Sequence, residues 1–178
     1  MKKWLTIVSA AMVVILAGLA AYALHPEKGI PAIPYEAIIK HLPFAAGGDL
    51  RYHITVHKPY KEWDKWPGKG EMYPGKEPHG ALLTTYVNKT ALDSIKKAKG
   101  MAEDSIIVKE NYDSGKKLNA VTVMYKVKNY NPEGGDWFWA KYDPQFNILG
   151  EGKVEGCIKC HGSVKDNDYI FTGKVTGK

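Results

Sequence analysis

Apolar and polar residues alternate with a period of two along much of the chain. Leu118 to Lys128 (LNAVTVMYKVK) is the clearest case: Val121, Val123, Tyr125 and Val127 share one face, while Thr122, Met124 and Lys126 share the other. The first set is expected to pack on a core. Ala81 to Asn88, Ser105 to Asn111, Asp136 to Tyr142 and Asp168 to Val175 are also β-branched or aromatic runs, bounded by Gly, Pro, Asn or Asp. Each predicts a strand. A helical period occurs at Thr90 to Gly100 (TALDSIKKAKG), with Ala91, Leu92 and Ile95 on one face, Asn88 or Thr90 as the cap and Gly100 as the end. Tyr35 to Leu42 predicts a short helix stopped by Pro43, and Ala45 to Pro78, rich in Gly, Pro and Trp, reads as mostly irregular. The expected fold class is α+β: mainly an antiparallel β-sheet with a few short helices.

One strand breaks its own pattern. In Ser105 to Asn111, Ile107, Lys109 and Asn111 share a face opposite Ile106, Val108 and Glu110, so Lys109 stands where a plain core would place an apolar residue.

The N-terminus is of another kind. Lys2 and Lys3 precede an uncharged run from Trp4 to Leu24, the charged and apolar regions of an export signal. Ala21-Tyr22-Ala23 resembles a cleavage site, yet the run also has the about 20 residues needed to span a bilayer as an uncleaved anchor. Both outcomes stay open. His25 to Pro34 (HPEKGIPAIP) suits an extended linker, which gives residues 1–24 as signal peptide or membrane anchor, 25–34 as linker and 35–178 as one domain. A periplasmic location is expected. Hydrophobic residues at 44% and charged residues at 25% exclude wholesale disorder and fibrous architectures. The net charge of +6 comes from scattered lysines with no basic run, so no nucleic-acid partner is expected.

Two cysteines are too few, and too close together, for a disulfide framework. Cys157-Ile158-Lys159-Cys160-His161 is instead C-x-x-C-H, the attachment signature of c-type haem. Two thiols three positions apart can each add across one porphyrin vinyl group, which carries the next histidine beneath the ring as a ligand to iron. A thioredoxin-like pair would sit near a βαβ pattern, and a zinc site would need a second pair of ligands; the chain offers neither. One covalently attached haem c is therefore expected, with Cys157 and Cys160 as thioether residues and His161 as the metal ligand. His41, His53, His57, His79 and five methionines compete for the other axial position, and none sits in a ligand motif.

The order of several short pieces resembles the cytochrome P460 family. They are Tyr60-Lys-Glu-Trp63, Gly75-Lys-Glu-Pro-His-Gly80 leading into Thr85-Tyr-Val87, Ile107-Val-Lys-Glu110, Asp136-Trp-Phe-Trp139 and the C-x-x-C-H itself, and the likeness spans about residues 35 to 175. The resemblance implies a β-sheet cytochrome, often a homodimer, with five-coordinate iron and an open distal site. It also implies either hydroxylamine oxidation or, as in the sister group cytochrome c-prime-beta, nitric oxide binding, with a periplasmic redox partner. In the hydroxylamine-oxidising members a lysine nitrogen is bonded to the porphyrin, and that position matches Lys109. Those members also use a carboxylate in the long strand for proton transfer, where this chain has Met124 or Tyr125. Glu110 and Asp136 are the substitute proton acceptors to test. Trp137, Phe138 and Trp139, with Phe44 and Tyr73, are expected either to line an apolar distal pocket or to pack in the sheet core. The reading from another class is a simple electron-transfer cytochrome with a sixth ligand such as His79.

Overall fold

The computed structural model describes residues 47–177. The export segment, the linker, the helix expected over 35–42, His41 and Phe44 lie outside the described residues. The elements run α1 (Gly47–Tyr52), a π-helical turn (His53–His57), a 3-10 turn (Tyr60–Glu62), β1 (Asp64–Lys65), β2 (Tyr73–Pro74), β3 (Leu82–Val87) and α2 (Lys89–Lys97). They continue with β4 (Ile106–Tyr112), β5 (Leu118–Lys126), β6 (Trp137–Tyr142), β7 (Ile148–Gly152) and α3 (Glu155–His161). All seven strands join one antiparallel sheet in the order β1-β3-β4-β5-β6-β7, with β2 also pairing β3. From β4 to β7 each strand pairs with the next in sequence, as short connections between antiparallel strands dictate.

Register assigns each side chain to one of two clusters. Val108 pairs with Val123, and Val123 with Ala140. With Val121, Tyr125, Phe138 and Tyr142 they form a buried cluster closed by Leu50, Ile54 and Tyr60. The set expected to face a core therefore does so. The opposite face carries Ile107, Trp137 and Trp139, covered by Ala91 of α2 and by Ile170 and Val175 from the C-terminal segment. Removing such apolar side chains from water contributes about 1.5–3 kcal/mol each, which is why both faces of the sheet are covered.

The helix α2 starts at Asn88, whose Oδ1 accepts from the Ala91 and Ile106 backbone N–H groups at 2.9 and 3.1 Å. It ends at Ala98, in a left-handed conformation at φ 51°, not at Gly100. Gly100 instead donates its N–H to the Val175 carbonyl at 2.8 Å.

The expected strand from Asp168 to Val175 is absent. Asp168 and Tyr169 both adopt left-handed φ (54° and 65°), and Asn167 holds the segment as a loop: its Nδ2 donates to the carbonyls of Ile170 and Gly173, and its Oδ1 accepts from Val175 N–H. One side chain satisfies the backbone groups that a neighbouring strand would otherwise have taken. In the stretch read as irregular, the structure adds α1, two helical turns and the two-residue strands β1 and β2, too short for a sequence period to show.

Candidate functional site

A cavity of about 360 Å³ lies on the Lys109 side of the sheet, within the roughly 300–1,000 Å³ of small-molecule and cofactor sites. Its floor is sheet, with Lys109 and Asn111 from β4, Thr122 and Met124 from β5, and Trp139 from β6. One wall is α3, which presents Cys157, Cys160 and His161. The rim includes the turn from Glu77 to Gly80 and Ile170 to Thr172.

The motif acts as a unit because it is helical. Residues three and four apart in a helix share a face, so Cys157, Cys160 and His161 all reach the same wall. Both cysteines are free thiols, and burial pushes the Cys157 thiol up from its ordinary pKa. His161 is buried, with its ring edge-on to Trp139 (centroids 4.7 Å) and Phe171 (5.1 Å). Its Nδ1–H donates to the Tyr169 carbonyl at 2.7 Å, and burial lowers its pKa. The ring is thus neutral with its lone pair on Nε2, the form that binds a metal.

Residues that sequence reasoning read as a strand aim this imidazole. Two consecutive left-handed residues cost roughly 1–2 kcal/mol each, and Asp168 supplies the bonds that hold them. Its carboxylate accepts from Met101 N–H at 2.7 Å and from Lys126 Nζ at 2.6 Å, and its carbonyl accepts from Trp137 Nε1 at 3.1 Å. The Tyr169 hydroxyl donates to the Glu133 carbonyl at 2.9 Å.

Lys109 faces the cavity, as its alternation predicts, and its ammonium has no ion pair or hydrogen bond among the described residues. Burial pushes its ammonium down to a pKa of about 8, so a substantial fraction is free amine in mildly alkaline solution. His79 also enters the cavity, with its ring centroid 6.1 Å from that of His161 and the planes at 89°.

Glu110 does not belong to this site. It points to the other face, is 1% exposed, and accepts from the Tyr60 hydroxyl at 2.8 Å, from the Tyr112 hydroxyl at 2.7 Å and from the Lys61 ammonium. It therefore cannot take a proton from a molecule in the cavity. Asp136 accepts from the backbone N–H groups of Asn129 and Asn131, in the connection between β5 and β6. Of the described residues of the aromatic cluster, only Trp139 lines the cavity: Trp137 sits against Asp168, Phe138 joins the other cluster, and the Tyr73 hydroxyl pairs with Thr85 Oγ1 at 2.6 Å. His53 and His57 occupy the π-helical turn, away from the cavity lining. Asn111 and Thr122 are cavity residues that sequence reasoning did not single out as site residues, although Asn111 shares Lys109's face by simple alternation.

The residues present fit a haem of c type. Two thiols and a neutral imidazole are the donor set such a group needs, on the wall of a cavity whose floor and rim include Ile107, Met124 and Ile170. Trp139 Nε1 is a buried donor with no acceptor among the described residues. Leaving it so costs about 1–3 kcal/mol, a cost removed by an acceptor on an occupant of the cavity.

An antiparallel sheet with this motif on the wall of an adjoining cavity defines a β-sheet haem cytochrome. The sequence profile of the family described as Cytochrome P460 matches residues 58–172, and the chain belongs to that family. No curated protein matches the chain.

Proposed function

We propose that the chain is an exported mono-haem c-type cytochrome that binds nitric oxide at an iron held by His161. Cys157 and Cys160 are the thioether residues and Lys109 is a third tether to the porphyrin. The observation that carries this reading is that α3 brings both thiols and the imidazole to the wall of the cavity whose floor carries Lys109.

When bound, the haem supplies an iron centre able to take a neutral diatomic ligand. The chain's own residues prepare the rest. The Tyr169 carbonyl fixes the tautomer and direction of His161. Ile107, Met124 and Trp139 give the ligand an apolar surround that excludes water. Lys109 would hold the group as a further tether through its desolvated amine. Hydroxylamine oxidation needs a base near the iron, worth typically ~10²–10⁴-fold in rate. Glu110 and Asp136 face elsewhere, and Glu77, the one carboxylate residue lining the cavity among the described residues, lies exposed at the rim. His79, also on the lining, is lowered by burial to a pKa of about 4 and is a weak proton acceptor, which favours nitric oxide binding over hydroxylamine turnover. The same reading places the protein in the periplasm, free or tethered through residues 4–24, with a redox protein and a second copy of the chain as partners.

The test is periplasmic expression with haem maturation, mass spectrometry of the haem peptides and titration with nitric oxide. Haem bridging the peptides of Cys157 and Lys109, saturable nitric oxide binding and no hydroxylamine turnover with an artificial acceptor support the proposal. Rapid hydroxylamine turnover overturns the binding reading in favour of an enzyme. A chain without covalent haem overturns the whole assignment.

A further inference from the structure

We propose that His79 closes the second axial position of the iron, opposite His161, and that Asn111 is the residue that aims it. This rests on the haem placement just described, and it departs from the five-coordinate iron that the family resemblance implies.

The tautomer of His79 follows from its partner. Asn111 Nδ2 lies 2.9 Å from the Lys109 carbonyl, 3.1 Å from the Ala120 carbonyl and 3.2 Å from Thr122 Oγ1. Two carbonyls can only accept, so the amide nitrogen is on that side and Oδ1 is the atom turned to His79. Oδ1 can only accept as well, so His79 Nδ1, 2.9 Å away, carries the hydrogen. The lone pair of His79 is left on Nε2. His161 is in the same state, with Nδ1–H on the Tyr169 carbonyl. The cavity therefore holds two imidazoles, each with its Nδ1–H fixed by a protein acceptor and each with Nε2 available, the arrangement by which metal-binding histidines are oriented.

Their spacing also suits one ion between them. A metal–imidazole bond of about 2 Å plus the radius of each ring places the centroids of two opposed ligands about 6 Å apart. The observed centroid distance is 6.1 Å, with ring planes at 89°. Both rings line one cavity, His161 from α3 and His79 from the turn between β2 and β3.

The backbone holds His79 in place. Its N–H bonds the Lys76 carbonyl at 3.1 Å in a tight turn. Gly80 follows at φ +99°, where a Cβ would come within 2.5 Å of the Tyr112 carbonyl oxygen. The turn is thus docked directly on the end of β4, the strand that also supplies Asn111. A diatomic ligand reaches the iron only by displacing His79, and its apparent affinity is lowered by the fraction of molecules in which that position is open.

The experiment uses haem-loaded protein and reads absorption and electron paramagnetic resonance spectra. The wild type is expected to be low-spin and six-coordinate in both oxidation states. His79→Ala and the volume-conserving His79→Phe should be high-spin, and free imidazole should restore the low-spin signal to His79→Ala. Carbon monoxide affinity of the ferrous variants should rise by the reciprocal of the open fraction, about a hundred-fold for an open population of about 1%. Asn111→Val should give a mixture of spin states with haem still attached. High-spin wild-type protein with covalent haem overturns the role of His79 while leaving the haem assignment intact, as does a low-spin signal that survives both His79 substitutions. A chain that takes no haem overturns the assignment and the inference together.

Discussion

Replacing Glu110 separates a structural carboxylate from a catalytic one. In Glu110→Ala the hydroxyls of Tyr60 and Tyr112 lose their acceptor. A buried donor left unsatisfied costs about 1–3 kcal/mol, and Tyr60, at 4% exposure, has no route to water. Tyr112 is only partly buried, so its hydroxyl falls at the low end of that range. The Lys61 side chain is 56% exposed and returns to solvent, so its lost ion pair adds at most about 1 kcal/mol. The sum is about 2–5 kcal/mol, a fall in melting temperature of roughly 5–20 °C for a domain of this size. Glu110→Gln keeps one acceptor oxygen and exchanges charged for neutral hydrogen bonds, a loss of about 1–2 kcal/mol. Circular-dichroism melts of the haem-loaded variants measure both. Nitric oxide affinity of Glu110→Gln should match wild type, because the side chain lies on the far face of the sheet. A Glu110→Gln protein with wild-type melting and lost ligand chemistry would refute the placement of this carboxylate in the core.

Three further outcomes follow from the same geometry. Tyr60, Tyr86 and Tyr112 surround the Glu110 carboxylate, and burial together with that charge raises all three hydroxyls, Tyr86 to about 12. Folded pKa values above the ordinary tyrosine value of about 10 mean that their contribution is whole below pH 10 and is lost as the pH rises from 10 through 12; a tyrosine absorbance titration that shows all eleven ionising near 10 in folded protein would contradict this. Asp168→Ala removes the largely buried partner of Lys126 and should cost about 3–5 kcal/mol, while loosening the Tyr169 turn enough to alter the spectrum of the His161-ligated iron. An unchanged melt and spectrum would show that the turn stands without Asp168. Gly80→Ala forces a side chain into a conformation costing of order 1–3 kcal/mol, and with it a partial shift to high-spin iron; a fully low-spin variant would count against the anchoring of His79 by this turn.

Much of the sheet is legible in the sequence because period-two alternation survives wherever a strand is covered on its faces. The strands at Leu82, Ile106, Leu118 and Trp137 begin within a residue or two of their expected starts. The same alternation places Lys109 on the cavity side and identifies Asn111 as its neighbour. It does not say which charged residue finds a partner, because two of the three partners of Glu110, Tyr60 and Lys61, lie some fifty positions earlier in the chain. The Asp168 to Val175 segment misleads for a related reason. Its aromatic and β-branched residues serve as anchors for a loop, with Ile170 and Val175 buried, while the Asn167 side chain replaces the hydrogen bonds of a strand. The apposition of His79 and His161 joins the turn between β2 and β3 to a helix after the last strand, and no local pattern records that meeting.

Lys109 and Glu110 are adjacent in β4 yet turned to opposite sides of the sheet, one into the cavity and the other among tyrosines. A slip of one residue would exchange them, placing an amine among hydroxyls that need an acceptor and a carboxylate beneath the iron. An inserted or deleted residue in this strand would thus disrupt both faces of the sheet at once. The accessible route for a base is substitution at positions whose side chains already enter the cavity, and Thr122, paired directly with Lys109, and Met124 are two such positions. In this fold a single substitution on β5 would bring a carboxylate into the cavity while β4 stays fixed.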